Sequence, residues 1–278
     1  ARKSLGTEDP GAFRWWGDIA TRPYMRARER LGKVFEFLER YSEAVEEYRA
    51  LLERNPGDTQ GIRFALPSLC QLAGNQREAL QEYATYEENY PDDGPDSHFL
   101  LNWGLALFQA GDLPSALRKW RRAGFENIYQ IPYQLGFDPK EENIWHSSNL
   151  ATVDFALDYG SYSPLWENDE SAWLALAAFW SDADTRHDVA EWIDQGRKLD
   201  STSDVKGRTK ILDEQEAIEN RGPTPDCVAR VEQRIRATDP VTALWRRFVL
   251  IWRSVRLFLR SLDGELYDWR DLPEERML

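Results

Sequence analysis

A pattern repeated three times along the first half of the chain constrains the fold more than any other feature. Arg28, Leu31, Gly32 and Phe35 are followed by Ala44, Tyr48, Leu51 and Pro56. A second copy reads Arg63, Leu66, Pro67 and Cys70, then Ala79, Tyr83, Tyr86 and Pro91. A third reads Leu100, Trp103, Gly104 and Leu107, then Ala116, Trp120 and Ala123. The alanines at 44, 79 and 116 lie 35 and 37 residues apart. This spacing fits a helix–turn–helix repeat of about 34 residues, in which each unit buries its apolar face only by stacking on its neighbours.

The residue types follow from the packing. Gly32, Gly104 and the three alanines suit places where the two helices of a pair approach closely, and Phe35, Tyr48, Tyr83 and Trp120 suit the gaps between pairs. Pro56 and Pro91 remove a backbone donor and end a helix, and Asn55-Pro56-Gly57-Asp58 then supplies a turn and a helix cap. Gly74-Asn75 and Gly111-Asp112 mark the tight turns inside the second and third pairs. Pro67, inside the first helix of the second pair, departs from the pattern and predicts a kink there. The expected fold is therefore all-α: a tetratricopeptide-repeat helical solenoid over 22–124, followed by a C-terminal helical module.

Three segments carry a narrower resemblance. They are Thr21-Arg22-Pro23-Tyr24-Met25-Arg26-Ala27-Arg28, Asn55-Pro56-Gly57-Asp58-Thr59-Gln60-Gly61-Ile62-Arg63, and Asn127-Ile128-Tyr129-Gln130-Ile131-Pro132-Tyr133-Gln134-Leu135-Gly136. Over about 22–181 the chain resembles tetratricopeptide proteins related to the suppressor-of-tumorigenicity-7 family and its bacterial look-alikes. The resemblance implies the same helical array and brings no activity with it.

Around the array, residues 1–21 form a leader. Phe13, Trp15 and Trp16 in Gly11–Ile19 predict a short capping helix, with a binding arm as the alternative. Residues 125–200 read as an acidic helical extension, with helical patterns at Asn149–Tyr159, Asp169–Ser181 and about 184–199. The span 141–194 holds twelve acids and one base, Arg186, which suits either a solvated face or a docking surface for a basic partner. Residues 201–278 form the C-terminal module, and the polar stretch 199–225 is the expected hinge and protease-sensitive linker. Pro240–Leu262 has five arginines and no acid. Arg246, Arg253, Arg256 and Arg260 share one side of that predicted helix, opposite Phe248, Trp252 and Leu259. Packing on the body, binding a partner protein, and lying on an anionic membrane surface all fit such a helix.

The chemistry-bearing motifs are missing from the sequence. It has three histidines, His98, His146 and His187, without metal-ligand spacing, so no metal is expected. There is no phosphate-binding loop, dinucleotide fingerprint or nucleophile elbow, so no catalytic residue and no cofactor are expected. A net charge of −13 argues against binding nucleic acid. Two isolated cysteines, no apolar leader at Ala1–Pro10 and no long uncharged apolar run point to a cytoplasmic protein without a transmembrane segment. The absent initial methionine fits a trimmed chain or a piece of a longer one.

Binding another protein is the function this fold class offers. In the repeat register the groove is lined by Arg26, Glu29, Lys33, Phe37, Phe64, Gln71, Leu101, Leu105 and Phe108. The protein's own terminal helices are the competing occupants of that groove. The leading expectation is a non-catalytic adaptor or scaffold that holds a protein segment. One alternative is a regulatory or inhibitory subunit that sequesters a basic effector and releases it on cleavage in 199–225. Another is an enzyme with a site of scattered carboxylates.

Overall fold

The structure is a computed structural model. It describes residues 6–237, apart from Glu8, Pro10, Asp138, Ser147, Asn168 and the side chain of Ser161. The cationic segment 240–262, with Arg246, Arg253, Arg256 and Arg260, lies outside the described residues. Among the described residues every regular element is helical. The chain divides into two compact units, Ala1–Pro95 and Asp96–Leu278.

The first unit holds two helical hairpins. Helices α1 (Arg22–Phe37) and α2 (Tyr41–Arg54) form one, and α3 (Ile62–Leu72) and α4 (Gln76–Asn89) the other. Gly32 lets α1 and α2 meet: a Cβ there would overlap the Tyr48 ring. Tyr48 is buried and its hydroxyl donates to Glu36, whose carboxyl is pushed up by its own burial. Arg28 reaches across the pair to Glu47 at 2.6 Å. Helix α3 then packs on α2: Ile62, Leu66 and Leu69 share one core with Ala44, Val45, Tyr48 and Leu51.

The turn between the hairpins is built on Asp58. Its buried carboxylate accepts from the backbone N–H groups of Ile62 and Arg63, each at 2.8 Å, and pairs with the Arg63 side chain. These bonds satisfy donors that a helix start leaves open. Helix α3 runs through Pro67 as one element.

The leader makes turns rather than the expected capping helix over Gly11–Ile19. Its aromatic residues still cover the core. Trp15 is buried against Tyr24, their rings 5.2 Å apart, and Thr21 donates its hydroxyl to the Trp15 carbonyl. With Gly11 and Gly17 flanking the tryptophans, side-chain and turn bonds hold this segment in place of a helical ladder.

The second unit opens with the hairpin of α5 (Ser97–Gln109) and α6 (Leu113–Glu126). Gly104 packs on Trp120 as Gly32 does on Tyr48, with no room for a Cβ. Short elements follow: α7 (Gln130–Gln134), α8 (Val153–Leu157), a 3₁₀ stretch Asp158–Tyr162, and α9 (Pro164–Glu167). Four longer helices complete the unit: α10 (Glu170–Trp180), α11 (Ala183–Ser201), α12 (Val205–Glu219) and α13 (Pro225–Ala237). Helix α10 is buried from Ala172 to Trp180 and is central, touching α5, α6, α9, α11 and α13. A helix apolar on every side belongs in a core.

The expected hinge at 199–225 is instead mostly the helix α12. Polar bonds secure it where apolar residues are sparse. Trp192 donates to Glu219 at 2.8 Å, Gln215 donates to the Trp192 carbonyl at 3.3 Å, and Arg121 donates to the Ile218 carbonyl at 2.6 Å.

Candidate functional site

The surface that stands out belongs to α1. Leu31, Val34, Phe37 and Leu38 are 41%, 49%, 87% and 53% exposed. At ~100° per residue, Ala27, Leu31, Val34 and Leu38 fall within an arc of ~60°. Phe37 and the exposed Arg26, Arg30 and Lys33 border that row on one side. The same register on α3, 35 residues later, reads Ile62, Leu66, Leu69 and Ala73. There the row is covered: Leu66 and Leu69 are only 2% and 1% exposed, packed on α2. Among the described residues, helix α1 therefore presents uncovered the face that α3 buries against a preceding helix.

The expected groove residues separate into two groups. Arg26, Lys33 and Phe37 are exposed on α1, and the Arg26 guanidinium lies 6.0 Å from the Trp16 ring. Glu29 is half-buried, pairs with Lys33 at 2.8 Å and accepts from Gln60 at 2.6 Å; its carboxyl is held low by those two donors against the opposing effect of burial. Phe64 is half-buried between Arg63 and Tyr86.

Three residues do not line a groove. Gln71 is buried and donates to the Tyr83 hydroxyl at 3.0 Å. Leu101 and Leu105 are fully buried, while Phe108 is half-buried against Trp120. Within the second unit, α5 is covered by the segment 149–180. His98 stacks on Phe155 with ring centroids 4.2 Å apart, and Tyr159 donates to Asn102. Trp166 donates to Tyr159 at 2.7 Å, and Gln109 donates to Asp169 at 3.0 Å. Over α5 the cover is an internal segment of the chain. Burial pushes the His98 pKa down, against the opposing pull of Asp96 and Asp158.

The acids of 141–194 are largely engaged within the fold. Asp169 and Asp182 cap α10 and α11. Asp182, itself buried, pairs with Arg230 at 2.7 Å. Asp188 meets both Arg121 and Arg221 at 2.9 Å, Glu191 meets Arg221 at 3.0 Å, and Glu142 meets Arg197 at 2.8 Å. Four arginines, two of them beyond 199, supply the counter-charge that the local composition lacks.

One open cleft, of about 270 Å³, lies between α6, α11 and α12, lined by Phe125, Glu126, Trp145, His146, Trp192 and Glu219. Partial desolvation pushes both glutamate carboxyls up, that of Glu219 against the opposing bond from Trp192. Neither cysteine is an activated thiol: burial pushes Cys70 up to about 11 and Cys227 to about 12. Among the described residues, no group of three or more His, Cys, Asp or Glu gathers as a metal site. No helix among them is long and apolar enough to cross a membrane.

The sequence matches no protein family, curated protein or solved structure.

Proposed function

We propose that the protein is a non-catalytic interaction module of the tetratricopeptide type, an adaptor that holds another protein through the first unit. The observation that carries this reading is the α1 row. Leu31, Val34, Phe37 and Leu38 stay in solvent while the register-matched Leu66 and Leu69 are buried. Apolar side chains clustered on one exposed face mark interaction sites more often than chance scatter does. The pairing of Gly32 with Tyr48 and of Gly104 with Trp120 supports the repeat assignment and, with it, the resemblance to the suppressor-of-tumorigenicity-7 group.

Sequestration of a basic effector has less support, because Asp182, Asp188, Glu191 and Glu142 are already paired. An enzymatic reading would rest on the Glu126–Glu219 cleft. The test of the adaptor reading is co-purification from native extract with the full chain as bait. Discrete partners should be retained by the wild type and lost with Leu31→Glu/Val34→Glu. An unchanged set of partners would contradict the reading.

A further inference from the structure

The exposed α1 row raises the question of what covers it. The chain contains its own answer in miniature. On α3 the register-matched residues Ile62, Leu66 and Leu69 are covered by α2, an amphipathic helix. Helix α2 carries Glu43, Glu46, Glu47 and Glu53 against Arg49 and Arg54, so the covering helix is net acidic. Around the uncovered row the exposed charges are mainly basic: Arg26, Arg30 and Lys33 lie along one side, with Lys33 paired to the half-buried Glu29. Glu39, an exposed acid, lies past the last turn of α1.

We propose that the α1 face docks an amphipathic α-helix of a partner protein whose apolar stripe is flanked by acidic residues. The inference rests on the adaptor reading and names the partner's chemistry. An apolar stripe laid over Leu31, Val34 and Leu38 repeats the packing that α2 gives α3, and acidic flanks meet Arg26, Arg30 and Lys33. Charge disfavours two other occupants. A second copy docked isologously through α1 would set Arg26, Arg30 and Lys33 against themselves. The chain's own 240–262 segment has five arginines and no acid.

The experiment uses the full chain and a helix-stapled peptide copying residues 41–54, with a twin in which its four glutamates are lysines. Binding is read by fluorescence anisotropy, and the docking face by hydrogen exchange of residues 22–38. The acidic peptide should bind and protect 22–38, and the lysine twin should bind about tenfold more weakly. Arg26→Glu/Arg30→Glu/Lys33→Glu should invert that preference, and Val34→Glu should abolish binding of both peptides. If Val34→Glu abolishes binding but the charge reversal leaves the preference unchanged, the face stands and the acidic partner is refuted. If 22–38 gains no protection, or if the free chain sediments as a dimer that Val34→Glu dissociates, the proposal is overturned.

Discussion

The paired substitutions Leu31→Ala and Leu66→Ala probe the uncovered face without needing a partner. The two leucines occupy the same register position on α1 and α3, 35 residues apart, at 41% and 2% exposure. Truncating the buried Leu66 loses the transfer term and opens a cavity against α2, a cost of about 2–5 kcal/mol. Leu31 has only about three-fifths of its surface to lose and no enclosed space to leave empty. Scaling the ~1.5–3 kcal/mol for a fully buried leucine, less what the alanine retains, gives about 1 kcal/mol or less. Urea unfolding followed by hydrogen exchange, resolved to peptides within 22–89, reads the first unit separately from the second. A loss at Leu31 as large as at Leu66 would refute the reasoning, because it would mean that the α1 face is covered in the free chain.

Other perturbations have equally definite outcomes. Gly104→Ala forces a methyl into the Trp120 ring and should lower stability by about 1–3 kcal/mol, read as a fall in the second unit's urea midpoint. Asp182→Ala removes the α11 cap and a buried partner of Arg230, so it should cost at least the ~1 kcal/mol of a lost cap, read by thermal melting. The His98 pKa is lowered in the fold, so the unfolded chain binds its proton first. That contribution is whole above the unfolded value near 6.5 and is lost as pH falls from there toward the folded value. His98→Phe keeps a ring against Phe155 and should flatten the fall in Tm between about pH 7 and 5.5; an unchanged slope would put the dependence on other groups. Raising salt should leave the fold of α11–α13 intact, because its ion pairs to Asp182 and Asp188 are shielded from solvent, with circular dichroism as the check.

The hairpins of the first unit were legible because their signals are local. Gly32 with Tyr48 and Ala44, and Pro56 with Asp58, state the close approach and the turn within a single helical hairpin and its exit. The third hairpin was legible for the same reason, through Gly104 and Trp120. Its surface was not. The repeat register places Leu101 and Leu105 in a groove, yet α5 is apolar on all sides from Phe99 to Phe108 apart from Asn102. An all-round apolar helix signals burial on every face, and here the cover comes from Phe155, Tyr159 and Trp166, some 57 residues beyond Asn102 in the case of Tyr159. Such a long-range partner leaves no periodic trace. The same holds for α12: its sparse apolar pattern suggested a hinge, but Trp192, Gln215, Glu219 and Arg121 secure it through polar bonds that periodicity does not register. The pairing of the 141–194 acids was hidden in a related way, since Arg221 and Arg230 lie outside that span.

Site-specific photocrosslinking tests the central claim most directly. A benzophenone side chain is placed at Phe37 on the α1 face and, separately, at the exposed Leu212 on α12, each in the full chain in native extract. The account predicts a discrete adduct from position 37 that disappears when Val34→Glu is added, and none from position 212. Equal adducts from both positions, or an adduct at 37 that survives Val34→Glu, would contradict it.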